Sequence, residues 1–336
     1  MALKPSYRCL VIGPSWVGDM LMAQSLFKAL AERHNDLTLD VLAPKWSHGI
    51  LARMPEIRTA WVAPFTHGRF GLMERWQLGR KLAREQYDQA IVLPNSWKSA
   101  LLPFIANIPV RTGYLGELRY GLLNDPRRLD KTAMPRLVDR YSALSVPVGI
   151  RCVSPQPRLQ VNLEAQNATL IRLNLKLDRP ILALCPGAEF GSAKRWPETH
   201  YAAVARAKLK QGWQVWLLGS ANDQKVTHTI NQLTENACFN LAGLTTLEES
   251  VDLLACASGV VSNDSGLMHI AAAVDVPLVA VYGSTDPGYT PPFSQQAKVA
   301  RLGLGCSPCF KRTCPLGHLD CLVKLQPERV IEALSS

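Results

Sequence analysis

CLVIGPSWVGDMLMAQSLFKALAER, residues 9–33, holds a strand, a glycine-framed loop and a helix in one run. Cys9-Leu10-Val11-Ile12 is uninterrupted and apolar, which suits a strand buried on both faces. From Asp19 onward, apolar residues return every three or four positions and predict a helix over 19–33. The loop between them has the Gly13-x4-Gly18 spacing of a phosphate-binding P-loop, yet Asp19 and Met20 stand where Lys and Ser or Thr should follow. A carboxylate there repels phosphate. At a helix start it is favoured in its ionised form.

The same alternation runs along most of the chain. LTLDVLAP (37–44), TAWVAP (59–64) and YDQAIVLPN (87–95) read as strands, with helices near 47–54, over 71–86 and from Ser96. From Tyr114 to Leu129 the pattern lapses into a loop, and a helix follows over 135–145. Residues 146–160 hold three prolines without periodicity and mark a connection between domains. A helix over 164–175 comes next, and then ILALCPG (181–187), WQVWLLGS (213–220), NLAG (240–243), GVVSND (259–264) and PLVAVYG (277–283) alternate with helices. The expected fold class is α/β, with two Rossmann-like domains, 1–155 and 156–336, whose parallel sheets face a central cleft. Ligands in such folds bind at the carboxyl ends of the strands.

The composition is that of a globular protein, 47% hydrophobic and 19% charged. No apolar run reaches the length of a membrane span, and the N-terminus does not read as a secretory signal, so a cytoplasmic protein is expected. A net charge of +10 favours an anionic partner: phosphorylated small molecules, an acidic membrane surface or nucleic acid. No nucleic-acid module is recognisable, and nucleic acid is not an expected partner.

Three strand ends in the second half suit a nucleoside diphosphate. In GVVSNDSGLMHIAAA (259–273), Asp264 or Ser265 can cap a helix whose first N–H groups, at Ser265, Gly266 and Leu267, would face an anion, with His269 on the same rim. In CPGAEFGSAKRWP (185–197), two glycines free the backbone and Lys194 with Arg195 can neutralise phosphate. In WLLGSANDQ (216–224), Asp223 can accept ribose hydroxyls. Singly, each also fits a capped helix, a solvated basic loop or a capping acid. In the first half, Asn95, Ser96, Lys98 and Ser99 follow a strand end, and Arg111, Arg119 and Arg140 could line a basic pocket or lie solvated. Trp16, beside Ser15, could stack on a sugar or pack. Nine cysteines include a cluster, CSPCFKRTCPLGHLDC (306–321); Cys306, Cys309, Cys314 and Cys321 could form a structural zinc site or a packed thiol knuckle.

IGPSWVGDMLMAQSL, VLPNSWKSALLPF, RTGYLGELRYGLLND, CPGAEFGSAKRWP and SNDSGLMHIAAA together resemble the bacterial ADP-heptose:lipopolysaccharide heptosyltransferases through essentially the whole chain. The resemblance implies the GT-B fold, with acceptor on the N-terminal domain and nucleotide-sugar on the C-terminal one. It implies an inverting transfer of heptose from ADP-heptose to the lipid A-core acceptor at the inner membrane surface, with no required cofactor, by a monomer. Glu189 and Phe190 before the lysine favour the branch that adds the second heptose over the branch that adds the first. On this reading Asp19 is the catalytic base. The donor meets Gly18, Gly187, Lys194, Asp223, Asp264, Ser265, Gly266 and His269, and the acceptor meets Ser15, Trp16, Asn95, Lys98 and Arg119. The rivals are another sugar-nucleotide enzyme of this fold, an epimerase or hydrolase, and a non-catalytic nucleotide- or membrane-binding module.

Overall fold

The computed structural model describes residues 6–64 and 71–335, and the chain divides into two compact units, Met1–Pro157 and Arg158–Ser336. The first unit runs β1 (Tyr7–Ile12), α1 (Val17–Arg33), β2 (Leu37–Ala43), α2 (His48–Leu51), β3 (Thr59–Val62), α3 (Leu72–Ala83), β4 (Gln89–Val92), α4 (Trp97–Ile105), β5 (Val110–Tyr114), β6 (Asp125–Arg127) and α5 (Leu137–Ser142). Its six strands are parallel in the order β3-β2-β1-β4-β5-β6.

The second unit runs α6 (Leu163–Arg172), β7 (Ile181–Cys185), α7 (Glu198–Lys210), β8 (Gln214–Leu217), α8 (Gln224–Leu233), β9 (Phe239–Asn240), α9 (Leu247–Leu254), β10 (Gly259–Asn263), α10 (Gly266–Ala273), β11 (Leu278–Val281), β12 (Ala297–Ala300), α11 (Asp320–Val323) and α12 (Pro327–Ser335). Its strands are also parallel, in the order β12-β11-β10-β7-β8-β9. Counted within each unit, both sheets have the Rossmann order, with the switch point between the first and fourth strands.

The central strands are apolar because helices cover both of their faces. In the first unit, Leu10, Ile12, Ala90 and Val92 pack against Leu82 of α3 and Ala100 and Leu102 of α4. Cys9 and Val11 alternate to the opposite face and are equally buried. In the second, Leu182, Leu184, Val261 and Val279 pack with Tyr201 and Val204 of α7 and Val330 of α12.

The structure corrects the sequence reading in several places. α1 begins at Val17, not Asp19, so Gly18 and Asp19 are the second and third residues of its first turn. Trp16 caps it without a side-chain hydrogen bond, so the usual polar start signal is missing. The expected helix near 47–54 is a 3-10 turn followed by the single turn of α2. The lapse from Tyr114 contains β6, and β5, β12 and α12 were not anticipated. Among the described residues no helix is long and apolar enough to cross a membrane.

Candidate functional site

The switch point of the second unit lies between β7 and β10, and the loops leaving these strands diverge there. Buried Asn263, the last residue of β10, ties them together. Its Nδ2 donates to the Pro186 carbonyl at 2.7 Å, and its Oδ1 accepts from Trp196 N at 3.1 Å and from the Tyr201 hydroxyl at 3.0 Å. Sequence reasoning passed over Asn263, although its place before the Asp264-Ser265-Gly266 turn was the available signal.

Beyond Asn263 is a charged cluster. Lys194 Nζ donates to Asp264 Oδ2 at 2.6 Å, and Thr285 Oγ1 donates to the same oxygen at 2.5 Å. His269 Nε2 lies 4.0 Å from Asp264 Oδ1. Asp264 and His269 are buried and Lys194 is largely so. Burial pushes the His269 imidazole down to about 4; Asp264 opposes this and Lys194 adds to it. His269 is therefore a neutral imidazole near pH 7, not a surface cation. Thr285 was also missed; it follows the strand PLVAVYG, a fourth strand end at this edge.

α10 starts at Gly266 with Ser265 as its cap, and the cap makes no side-chain bond to the helix. Among the described residues, the N–H groups of Gly266, Leu267 and Met268 have no acceptor. Three aimed donors, the positive helix end and Lys194 form an anion site. The Lys194 loop is well fixed: Ala193 N donates to the Arg312 carbonyl at 3.0 Å, and Lys194 Nζ lies 5.0 Å over the Phe190 ring. Arg195 faces inward and bonds the Ala188 carbonyl at 3.3 and 3.4 Å, so it braces this loop.

Asp223 is buried and caps its own turn: Oδ2 accepts from Ser220 N at 2.9 Å and from Ser220 Oγ at 2.7 Å. Its carboxylate lies against Gly187, where a Cβ would come within 2.5 Å of it. Asp223 thus joins the ends of β7 and β8, beside the Asn263 hub.

In the first unit the switch point lies between β1 and β4. Gly13 N donates to the Leu42 carbonyl at 2.9 Å and Leu93 N to the Ile12 carbonyl at 3.1 Å. A Cβ on Gly13 would strike the end of Met20, at 2.7 Å, and approach the Leu42 carbonyl at 3.3 Å. Gly13 therefore lets the chain pass close to Met20 and to the Leu42 carbonyl. Ser15 and Trp16 are exposed at this edge and Asp19 is half-buried. The next loop carries exposed Asn95 and half-buried Lys98, with Ser96 capping α4.

Arg119 is not where the sequence reading placed it. Its side chain is buried, donating from Nη1 to the Pro94 carbonyl at 2.6 Å and from Nη2 to the Tyr114 carbonyl. Arg111 likewise serves the Leu122 and Ile108 carbonyls, each at 2.7 Å, and Arg140 those of Met134 and Pro135 at 2.8 and 3.1 Å. The basic pocket expected from these residues is instead three guanidinium forks satisfying loop carbonyls. Cys306, Cys309, Cys314 and Cys321, which could form a zinc site or a packed thiol knuckle, carry free thiols. The other three lie near enough to Cys321 to help burial raise its thiol, and among the described residues no group of three His, Cys, Asp or Glu side chains is placed to hold a metal ion.

Residues 75–320 match the family described as glycosyltransferase family 9 (heptosyltransferase). The chain is 47% identical to lipopolysaccharide heptosyltransferase 2 of Salmonella typhimurium, over 98% of both chains. It is equally identical to lipopolysaccharide heptosyltransferase 2 of Escherichia coli, also over 98% of both. The solved structure of the E. coli ADP-heptose LPS heptosyltransferase II superposes with a TM-score of 0.88 at 44% identity, covering 98% of this chain and 97% of that one.

Proposed function

The chain belongs to glycosyltransferase family 9, the heptosyltransferases, and from that membership we propose that it transfers a heptose from ADP-heptose to the first heptose of a lipid-linked lipopolysaccharide core. Transfer takes place at the cytoplasmic face of the membrane, by direct displacement with inversion. The second unit holds the donor. Its diphosphate sits on the N–H groups of Gly266, Leu267 and Met268 and on Lys194, which carry the charge that develops as ADP leaves. Asp19, in the first turn of α1, accepts the proton of the attacking hydroxyl, a contribution of about 10²–10⁴ in rate. Ser15, Trp16, Asn95 and Lys98 line the acceptor edge. Fixed cations and dipoles suffice for the leaving group, so the proposed chemistry includes no metal.

The observation that carries this reading is the Lys194–Asp264 pair beside the first N–H groups of α10, which have no acceptor among the described residues, at the switch point of the second sheet. The test is mass spectrometry of the product from ADP-heptose and a mono-heptosylated core acceptor. A gain of one heptose, with ADP released only when acceptor is present, supports the transferase. ADP release without acceptor indicates a hydrolase, and an isomerised donor indicates an epimerase.

A further inference from the structure

α3 covers one face of the first sheet with Arg75, Gly79 and Leu82 turned inward. A surface helix of this kind should carry polar residues on its outer face. α3 carries Gln77, Arg80, Lys81 and Arg84 there, but large apolar residues are exposed among them. At 3.6 residues per turn, Met73, Trp76, Arg80 and Arg84 fall on the outer side, Leu72 lies beside them at the helix start, and Leu72, Met73 and Trp76 are 57%, 63% and 49% exposed. Three large apolar side chains in the first half are thus followed by a basic end, Arg80, Lys81 and Arg84. The two halves meet where the Arg80 guanidinium lies 5.4 Å over the Trp76 ring.

We propose that this outer face of α3 docks the protein on an anionic membrane surface, with Leu72, Met73 and Trp76 entering the headgroup boundary and Arg80, Lys81 and Arg84 pairing with lipid phosphates. Charge complementarity selects this occupant. The face is basic, the whole chain carries +10, and a bilayer with anionic headgroups offers the opposite charge together with an apolar layer below it. A second copy applied symmetrically would set the same arginines against one another. The proposal rests on the reading of a lipid-linked acceptor for its purpose, and the fold connects the two. Arg75 Nη1 donates to the Lys98 carbonyl of α4 at 3.1 Å. A Cβ on Gly79 would lie 2.5 Å from Ile105 Cγ2, so α3 and α4 are in close contact along their lengths. A membrane on α3 is therefore held in fixed relation to the Asn95–Lys98 loop.

The experiment is vesicle flotation, without substrate, of the full chain and of a Leu72→Gln/Met73→Gln/Trp76→Gln variant. The probes are vesicles of phosphatidylcholine alone and of phosphatidylcholine with phosphatidylglycerol. The wild type should bind the anionic vesicles on the order of tenfold or more tightly than the neutral ones, and added salt should weaken this. The triple variant should lose about tenfold, as should Arg80→Glu/Lys81→Glu/Arg84→Glu. Turnover on a water-soluble acceptor fragment should be unchanged in both variants, which separates this proposal from the catalytic reading. Equal vesicle binding by wild type and variants would overturn it. So would a wild-type dimer that both variants dissolve in the absence of vesicle binding, because the face would then be a contact between copies.

Discussion

A methyl group on Gly187 would lie 2.5 Å from the carboxylate of Asp223, so these two residues, at the ends of β7 and β8, occupy one another's space. Gly187→Ala must displace the carboxylate and with it the cap on Ser220. We expect a stability loss of about 1–3 kcal/mol and weaker ADP binding. In an Asp223→Ala background, where the obstructing atoms are gone, the added cost of Gly187→Ala should shrink. Urea titrations of the four chains measure this; strictly additive losses would show that the contact is not what excludes a side chain at 187.

Lys194 is the cation of the anion site, and its Nζ is held by Asp264. Lys194→Ala should weaken ADP binding by roughly 10–100-fold, as expected for loss of a charge-assisted hydrogen bond. Calorimetric titration with ADP decides the point. An unchanged Kd would remove Lys194 from the phosphate site and leave it a structural partner of Asp264.

Asp19→Asn keeps the size and helical position of the side chain and removes its basicity. The variant should fold, bind ADP normally and lose about 10²–10⁴ in transfer rate. Near-normal turnover would end the assignment of Asp19 as the base.

His269 carries a pH signature. The folded chain resists protonating it until about pH 4, while the unfolded chain protonates near the ordinary value of 6.5. Its contribution is thus complete above pH 6.5 and is lost as the pH falls toward 4, an effect on the order of 3 kcal/mol. His269→Gln removes the titrating group, so its stability should fall less between pH 7 and 4.5 than that of the wild type. Parallel stability curves from urea unfolding at the two pH values would contradict this.

Arg119→Met should act on stability rather than on direct contact with acceptor. It leaves the Pro94 and Tyr114 carbonyls without their donor, at a cost of about 2–4 kcal/mol. Thermal unfolding and acceptor KM, measured together, test it. Native stability with a raised KM would return Arg119 to the binding surface.

The strands that were legible in the sequence are those buried on both faces, since CLVI, ILALC and LVAV can be little else. Those missed lie toward the sheet edges or lack apolar character. β6 is Asp-Pro-Arg, held by the Asp125–Arg127 pair, and β12 is Ala-Lys-Val-Ala with its middle exposed. The anion site was largely readable because its Gly, Ser and Lys sit directly at strand ends. Arginine roles were not readable, because the same guanidinium that binds a ligand's oxygens binds a loop's carbonyls. Only the fold decides which of these Arg111, Arg119 and Arg140 meet. The burial of His269 was hidden too: Asp264 is its near neighbour in sequence, but Lys194 joins this cluster from 70 residues before Asp264, and only the fold brings it there.

One fastening in the first unit closes a long stretch of chain. Ser25 Oγ and Lys28 Nζ of α1 donate to the carbonyls of Pro155 and Gln156, at 2.7 and 2.8 Å. These bonds join residues 130 and 128 positions apart. α1 therefore completes its side-chain bonds only when nearly the last residues of its own unit are in place, and the closure of that long loop is met inside a single unit.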